Sequence, residues 1–434
     1  MERINIIPRV AGTISATASS LIIYLIFRSE TKLSSIYHRI MFSMSCADIL
    51  SSAAIALTTL PMPSEFPCEG NPWEGRAKGN IQTCEAQGFI IVAGGITGLY
   101  NAALCVYYAC AIAFCMSEEK IHKRVEPFLL SMPVIIGLLG AINGLLFDLY
   151  NPAEHWCGMS TIECTVQDES GNQSQYVRGT KEALERTIIS RFIIIIIIGI
   201  TIVISLGLTI RRAWIIDSKL SDRENHITIF SMGTNGELDS NLSGEAVGNE
   251  VVDDIRRKNA TTKIVTIQAL AYTIAYIFTL LLPSILVSDA STNPAIGITI
   301  VFFFPLQGFL NFIIFLFHKV YNYRRLHRDV GYCSIISTFF FGPKVEEPLI
   351  FSRISLVQLD DEVWNQGVIE DVTGHENGHE NISFDPTTEV LNDNQEESKY
   401  SIDDDVASVT ENLYPSSRAS SDFSLFGISI QSND

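Results

Sequence analysis

The chain has 434 residues, of which 47% are hydrophobic and only 18% charged, and its mean hydropathy is +0.24. That balance excludes an ordinary soluble domain and points to an integral membrane protein. The formal net charge of −18 is not a field spread over the molecule. Residues 330–434 hold 20 acidic and 4 basic side chains, so the acidity belongs to a C-terminal tail and no nucleic-acid partner is expected.

A helix needs about 20 apolar residues to cross a hydrocarbon core. Seven stretches meet this, at about 10–28, 37–61, 84–115, 127–149, 186–212, 261–288 and 294–318. The first lacks a small-residue cleavage site and is read as a retained span. The fifth holds six consecutive isoleucines, Ile193 to Ile198. Their β-branching disfavours helix in water. In lipid the backbone must satisfy itself internally, so helix remains the expected state. The fold class is therefore an all-α seven-helix membrane bundle.

Lys and Arg counts orient it. With the N-terminus outside, the inner segments carry 18 and the outer ones 7. This predicts a multi-pass protein of the plasma membrane with a cytoplasmic C-terminus. The inner loop 213–262, rich in Gly, Asn, Ser and Asp, is expected to be mobile. Lys319, Arg324, Arg325 and Arg328 alternate with apolar residues, a pattern for a short amphipathic eighth helix on the membrane surface. The domains follow as 1–330, the helical bundle, and 331–434, a cytoplasmic acidic tail expected to be mostly disordered. The tandem Gly374-His375-Glu376-Asn377 and Gly378-His379-Glu380-Asn381 reads as solvated low-complexity tail rather than a metal site.

Several residues carry candidate chemistry. Asp48 is an acid deep in a span, which is costly and by default functional. Asn311, at similar depth in the seventh span, is its natural partner. The pair is either a switch set by protonation or a cation, or interhelical hydrogen-bond glue. Pro61, Pro133, Pro283 and Pro305 are candidate kinks. Cys68, Cys84, Cys157 and Cys164 fall in outer segments; four cysteines allow three pairings, and spacing does not choose among them. Asn172-Gln173-Ser174 is an outer glycosylation sequon, whereas those at Asn241, Asn259 and Asn381 should be silent. Cys333 is either an acylation site or a plain free thiol. The basic residues Arg211, Arg212, Arg256, Arg257, Lys258 and Lys263 flank the inner ends of the fifth and sixth spans.

A set of short motifs carries a family likeness. They are Tyr37-His38-Arg39 and Ser45-Cys46-Ala47-Asp48 in the second span, and Cys84-Glu85-Ala86-Gln87-Gly88-Phe89 and Leu99-Tyr100-Asn101 in the third. Glu126-Pro127 opens the fourth, Trp156-Cys157 follows it, and Phe304-Pro305-Leu306-Gln307-Gly308-Phe309-Leu310-Asn311 lies in the seventh. Across about residues 5–330 the chain resembles the cyclic-AMP-receptor-like branch of G-protein-coupled receptors, near the secretin-like group. The resemblance implies sensing of an extracellular ligand and activation of a heterotrimeric G protein. It also implies a Cys84–Cys157 bridge pinning the second outer loop, which would leave Cys68 to Cys164. The ligand cavity is expected in the outer half, between the third, fifth, sixth and seventh spans. The third span closes on Ala113-Phe114-Cys115 rather than on an Asp/Glu-Arg-Tyr triplet, and the seventh lacks Asn-Pro-x-x-Tyr. The basic cluster is therefore expected to carry more of the G-protein contact.

Other seven-helix functions fit less well. A retinal photoreceptor needs a lysine in the seventh span, and none occurs from Asn293 to Phe317. A membrane zinc hydrolase needs clustered intramembrane ligands, whereas the histidines fall at loops, helix ends or the tail; no enzyme, metal or cofactor is expected. A transporter or channel remains the alternative, although paired intramembrane charges and internal repeats are not evident.

Overall fold

The computed structural model describes residues 2–65, 76–153, 155–168, 171–233, 263–283, 294–327 and 330–342. The chain divides into two units, Met1–Glu362 and Val363–Asp434, and all described residues belong to the first. The acidic tail from Pro343 on, the sequons at Asn241, Asn259 and Asn381, and the tandem repeat lie outside the described residues.

Among the described residues, seven helices are long and apolar enough to cross a membrane: Ile6–Arg28, Ile36–Ala56, Ile81–Ala113, Glu118–Leu146, Lys181–Ser218, Lys263–Leu281 and Ile296–Arg325. Their lipid-facing character is plain in the fifth. Ile193, Ile196, Ile197, Ile200, Val203 and Ile204 are each more than half exposed. So dense an outward apolar surface is stable only against hydrocarbon.

Local chemistry sets where helices begin and bend. Asn80 caps the third span in a capping box with Thr83. This span is not continuous: it breaks at Gly95 between helices Ile81–Gly94 and Thr97–Tyr108, then closes in a π-helical turn, Ala109–Ala113. Gly94 faces the second span so closely that a Cβ there would meet the Ala47 carbonyl and the Ser51 amide at 2.9 Å. This glycine lets the two backbones approach beside Asp48. The sixth span also ends in a π-helical turn, Ile277–Leu281. The seventh is helix Pro294–Phe303, a 3-10 turn Phe304–Leu306 around Pro305, and helix Gln307–Leu326. Pro305 has no N–H to give, which accounts for the change of winding.

Three expectations about extent need correction. The fifth helix runs Lys181–Gly233, so residues 213–233, expected in a mobile loop, continue the helix. The second helix ends at Ala56, and Pro61 lies in the turns after it rather than in a span. The basic stretch from Lys319 continues the seventh-span helix to Leu326, while the short following helix lies further on, at Tyr332–Phe341. The segment after the fourth span is built of strands. β1 (Tyr150–Pro152) pairs antiparallel with β2 (Cys157–Met159), and β3 (Ile162–Asp168) pairs antiparallel with β4 (Gly171–Arg178).

Tyr150 of β1 is fully buried, and its ring occupies the space a Cβ would need at Gly88 of the third span and Gly144 of the fourth. Its hydroxyl donates to the Ala141 carbonyl at 2.9 Å. Burial pushes that hydroxyl's pKa up to about 12, so it stays a donor. The main core lies toward the opposite end. There Ile40, Met41 and Met44 of the second span pack with Tyr107, Tyr108, Tyr272 and Phe315.

Candidate functional site

The middle of the bundle holds a buried chain of polar side chains that ties five spans together. Asp48 is 2% exposed. Its Oδ1 accepts from Thr97 Oγ1 of the third span at 2.6 Å, and its Oδ2 accepts from Asn311 Nδ2 of the seventh at 3.0 Å. Gln307, one turn before Asn311, donates to Asn311 Oδ1 at 3.4 Å and accepts from Thr279 of the sixth span. The first span joins through Ser15, whose Oγ accepts from the Gly308 amide at 3.0 Å. Gly308 is required there, because a Cβ would fall on Ser15 and Ser19. Ser45 Oγ, three residues before Asp48, and both polar atoms of Asn101, four residues after Thr97, are buried with no hydrogen-bond partner among the described residues.

Toward one end lies a second junction that sequence reasoning missed. Gln268 of the sixth span donates through Nε2 to Tyr37 Oη of the second at 2.7 Å and accepts from Tyr108 Oη of the third at 3.1 Å. Tyr272, one turn on, donates to Met41 Sδ at 3.4 Å, and Phe315 of the seventh span stacks near Tyr37. Gln268 is 4% exposed, so its amide is satisfied only while these spans stay together. The sequence signal was a glutamine among apolar residues in a span, which is weaker than a carboxylate.

The same end carries ion pairs that join neighbouring helices. Arg39 makes a bidentate pair with the buried Glu126 at the start of the fourth span and donates through Nη1 to the Leu33 and Ser34 carbonyls. His122, one turn before Glu126, shares that carboxylate. Lys263 pairs with Asp217 at 2.8 Å, linking the sixth and fifth helices. Of the remaining basic candidates, Arg211 is exposed, and Arg212 donates to Cys115 Sγ at 3.7 Å. Arg256, Arg257 and Lys258 lie outside the described residues. Cys333 is exposed at the start of the Tyr332–Phe341 helix.

The other end is covered by the β1–β2 segment. A disulfide joins Cys84 to Cys157. Gln87 reinforces it: its Oε1 accepts from the Cys157 amide at 2.9 Å, and its Nε2 donates to the Ala54 and Thr58 carbonyls. Beside the bridge, Trp156 stacks on Phe304 of the seventh span, with ring centroids 6.1 Å apart and 15° between planes. Arg178, at the end of β4, pairs with Glu85 and Asp148. Cys164 and Asn172 lie on β3 and β4, opposite Gln175 and Gln167. Cys68, its expected partner, lies outside the described residues.

These features define a multi-pass membrane protein with a seven-helix bundle, tied internally by a buried carboxylate network. No protein-family model and no curated protein matches the chain. Among solved structures, it is similar to squid rhodopsin, with a TM-score of 0.45 and 11% identity, covering 80% of this chain and 92% of that one.

Proposed function

We propose that the protein is a receptor of the plasma membrane that passes a stimulus from the disulfide-bearing side to a heterotrimeric G protein on the other. On this reading the N-terminus and Asn172 face outside, Asn172 carries a glycan, and the tail is cytoplasmic. The charge bias of the loops supports this orientation. So does the Cys84–Cys157 bridge, since disulfides persist on the oxidising side.

The single observation that carries the reading is the Asp48 network. A carboxylate in the hydrocarbon zone is expensive, yet this one bridges the second, third and seventh spans directly and reaches the sixth through Asn311 and Gln307. Such a network has two ways of being satisfied, with Asp48 charged or protonated, and the two favour different helix packings. The unpartnered Ser45 and Asn101 give the same layer capacity for water or a sodium ion. A ligand on the disulfide side then acts by binding one packing better than the other.

At the cytoplasmic end Arg211, Arg212, Arg256, Arg257, Lys258 and Lys263 supply the G-protein contact. The Gln268 junction, on the same helix as Lys263, keeps the sixth span closed in the resting state. The test is nucleotide exchange on purified G proteins by the protein in nanodiscs, set against flux in proteoliposomes. Exchange supports the receptor; flux without exchange favours the transporter alternative.

A further inference from the structure

At the disulfide end, Ala54 and Ile55 of the second span and Ile91 of the third form a small buried apolar cluster, closed by two aromatic rings, Trp156 and Phe304. The rings stack face to face with an offset, the arrangement two π-systems prefer. The connection between β1 and β2 that brings Trp156 there is fixed three ways: by the bridge at the next residue, by the Gln87–Cys157 hydrogen bond, and by the Ala153 amide donating to the Trp156 carbonyl at 3.1 Å. Trp156 itself is only half-buried. The indole is thus held in place by its own tether but not sealed in.

Phe304 is where this cluster meets the rest of the molecule. It is the first residue of the 3-10 turn Phe304–Leu306, and Gln307 follows directly. Gln307 bonds Thr279 and Asn311, and Asn311 bonds Asp48. Whatever rests on Phe304 therefore rests on the 3-10 turn of the seventh span, a single turn from the buried carboxylate network.

We propose that the apolar patch formed by Ala54, Ile55, Ile91 and Phe304 is a binding site for a flat aromatic ring, that Trp156 is its tethered resident, and that the ring seated on Phe304 sets the resting packing of the seventh span. The last clause rests on the receptor reading; the site itself does not. A short tether presents its group at an effective concentration on the order of millimolar. A free ring of ordinary affinity is therefore excluded from the wild type and admitted once Trp156 is removed.

The experiment uses the full chain in nanodiscs and indole as probe. Trp156→Gly uncovers the patch, and peptide mapping without reduction checks that Cys84–Cys157 is kept. Indole should raise the Tm of Trp156→Gly saturably, leave the wild type unmoved over the same range, and lose its effect when Phe304→Ala is added. Should Trp156→Gly fail to purify, Trp156→Val leaves a smaller opening for the same titration. No saturable shift in the opened variant, an equal shift in the wild type, or a shift that survives Phe304→Ala would overturn the site. Basal nucleotide exchange is then read on the same samples. Trp156→Gly should change it and indole should return it toward wild type; binding that leaves exchange unmoved overturns the packing clause while the site stands.

Discussion

Asn311 donates its side-chain amide to Asp48 Oδ2 at 3.0 Å, joining the seventh span to the second across 263 positions of sequence. Thr97 holds the other carboxylate oxygen. With both oxygens occupied and the side chain buried, the charge and the hydrogen-bonding shape of Asp48 can be separated by mutation.

Asp48→Asn keeps the shape and an acceptor for Thr97 but removes the charge. It should reach the cell surface at normal levels, change basal exchange, and abolish any sodium or pH dependence of that activity. Asp48→Leu strands Thr97 Oγ1 and Asn311 Nδ2, a cost of about 1–3 kcal/mol for each buried unmet group, and should lower Tm clearly. Unchanged ion dependence in Asp48→Asn would reduce the network to interhelical glue, worth about 0.6 kcal/mol per contact.

Gln268 bonds the sixth span to both the second and the third. Gln268→Leu preserves volume and deletes both bonds, so the closed packing loses its polar tie while Tyr37 and Tyr108 keep their aromatic contacts. The expected result is higher basal exchange with near-normal expression. Basal exchange at or below the wild-type rate would show that Gln268 is not a latch.

Arg39 neutralises a carboxylate, Glu126, whose side chain is 5% exposed. Arg39→Ala leaves that buried charge with His122 alone beside it, and breaking a buried pair destabilises by up to about 3–5 kcal/mol. Adding Glu126→Gln should recover a good part of the loss, because the buried charge is then gone. Thermal unfolding of the two singles and the double checks this; additive losses would mean the two residues act independently.

Tyr150 sits where a Cβ at Gly88 or Gly144 would be. Gly144→Val should expel its ring, break the bond to the Ala141 carbonyl, and cost about 1–3 kcal/mol as overpacking. The second loop should then become more open to protease in the folded protein. Wild-type proteolysis would place Tyr150 outside the role assigned to it.

The seven spans were legible because length and apolarity alone decide them. Asp48 and Asn311 were legible because an ionisable group in a span stands out against any apolar background. The second junction was not, since Gln268, Tyr37 and Tyr108 meet only through the register of three helices. Arg39 and Glu126 lie 87 residues apart and each resembles an ordinary boundary charge. The polar residues after Arg212 read as loop, yet the backbone continues as helix to Gly233, since nothing from Ala213 to Gly233 is a proline. The eighth helix was displaced for a similar reason: Lys319 to Leu326 carry no stop signal, so the seventh helix runs through them. The Trp156-Cys157 motif drew attention to the bridge and not to the ring, whose partner Phe304 is far off in sequence.

The most direct test of the account is GDP release from a panel of purified heterotrimeric G proteins, measured with wild type and Gln268→Leu in nanodiscs against empty nanodiscs. The account predicts that at least one G protein releases GDP faster with Gln268→Leu than with wild type. Charge reversal at Arg256, Arg257 and Lys258 should remove that gain without reducing surface expression. No acceleration by either form with any G protein, from samples that are folded and correctly bridged at Cys84–Cys157, would contradict it.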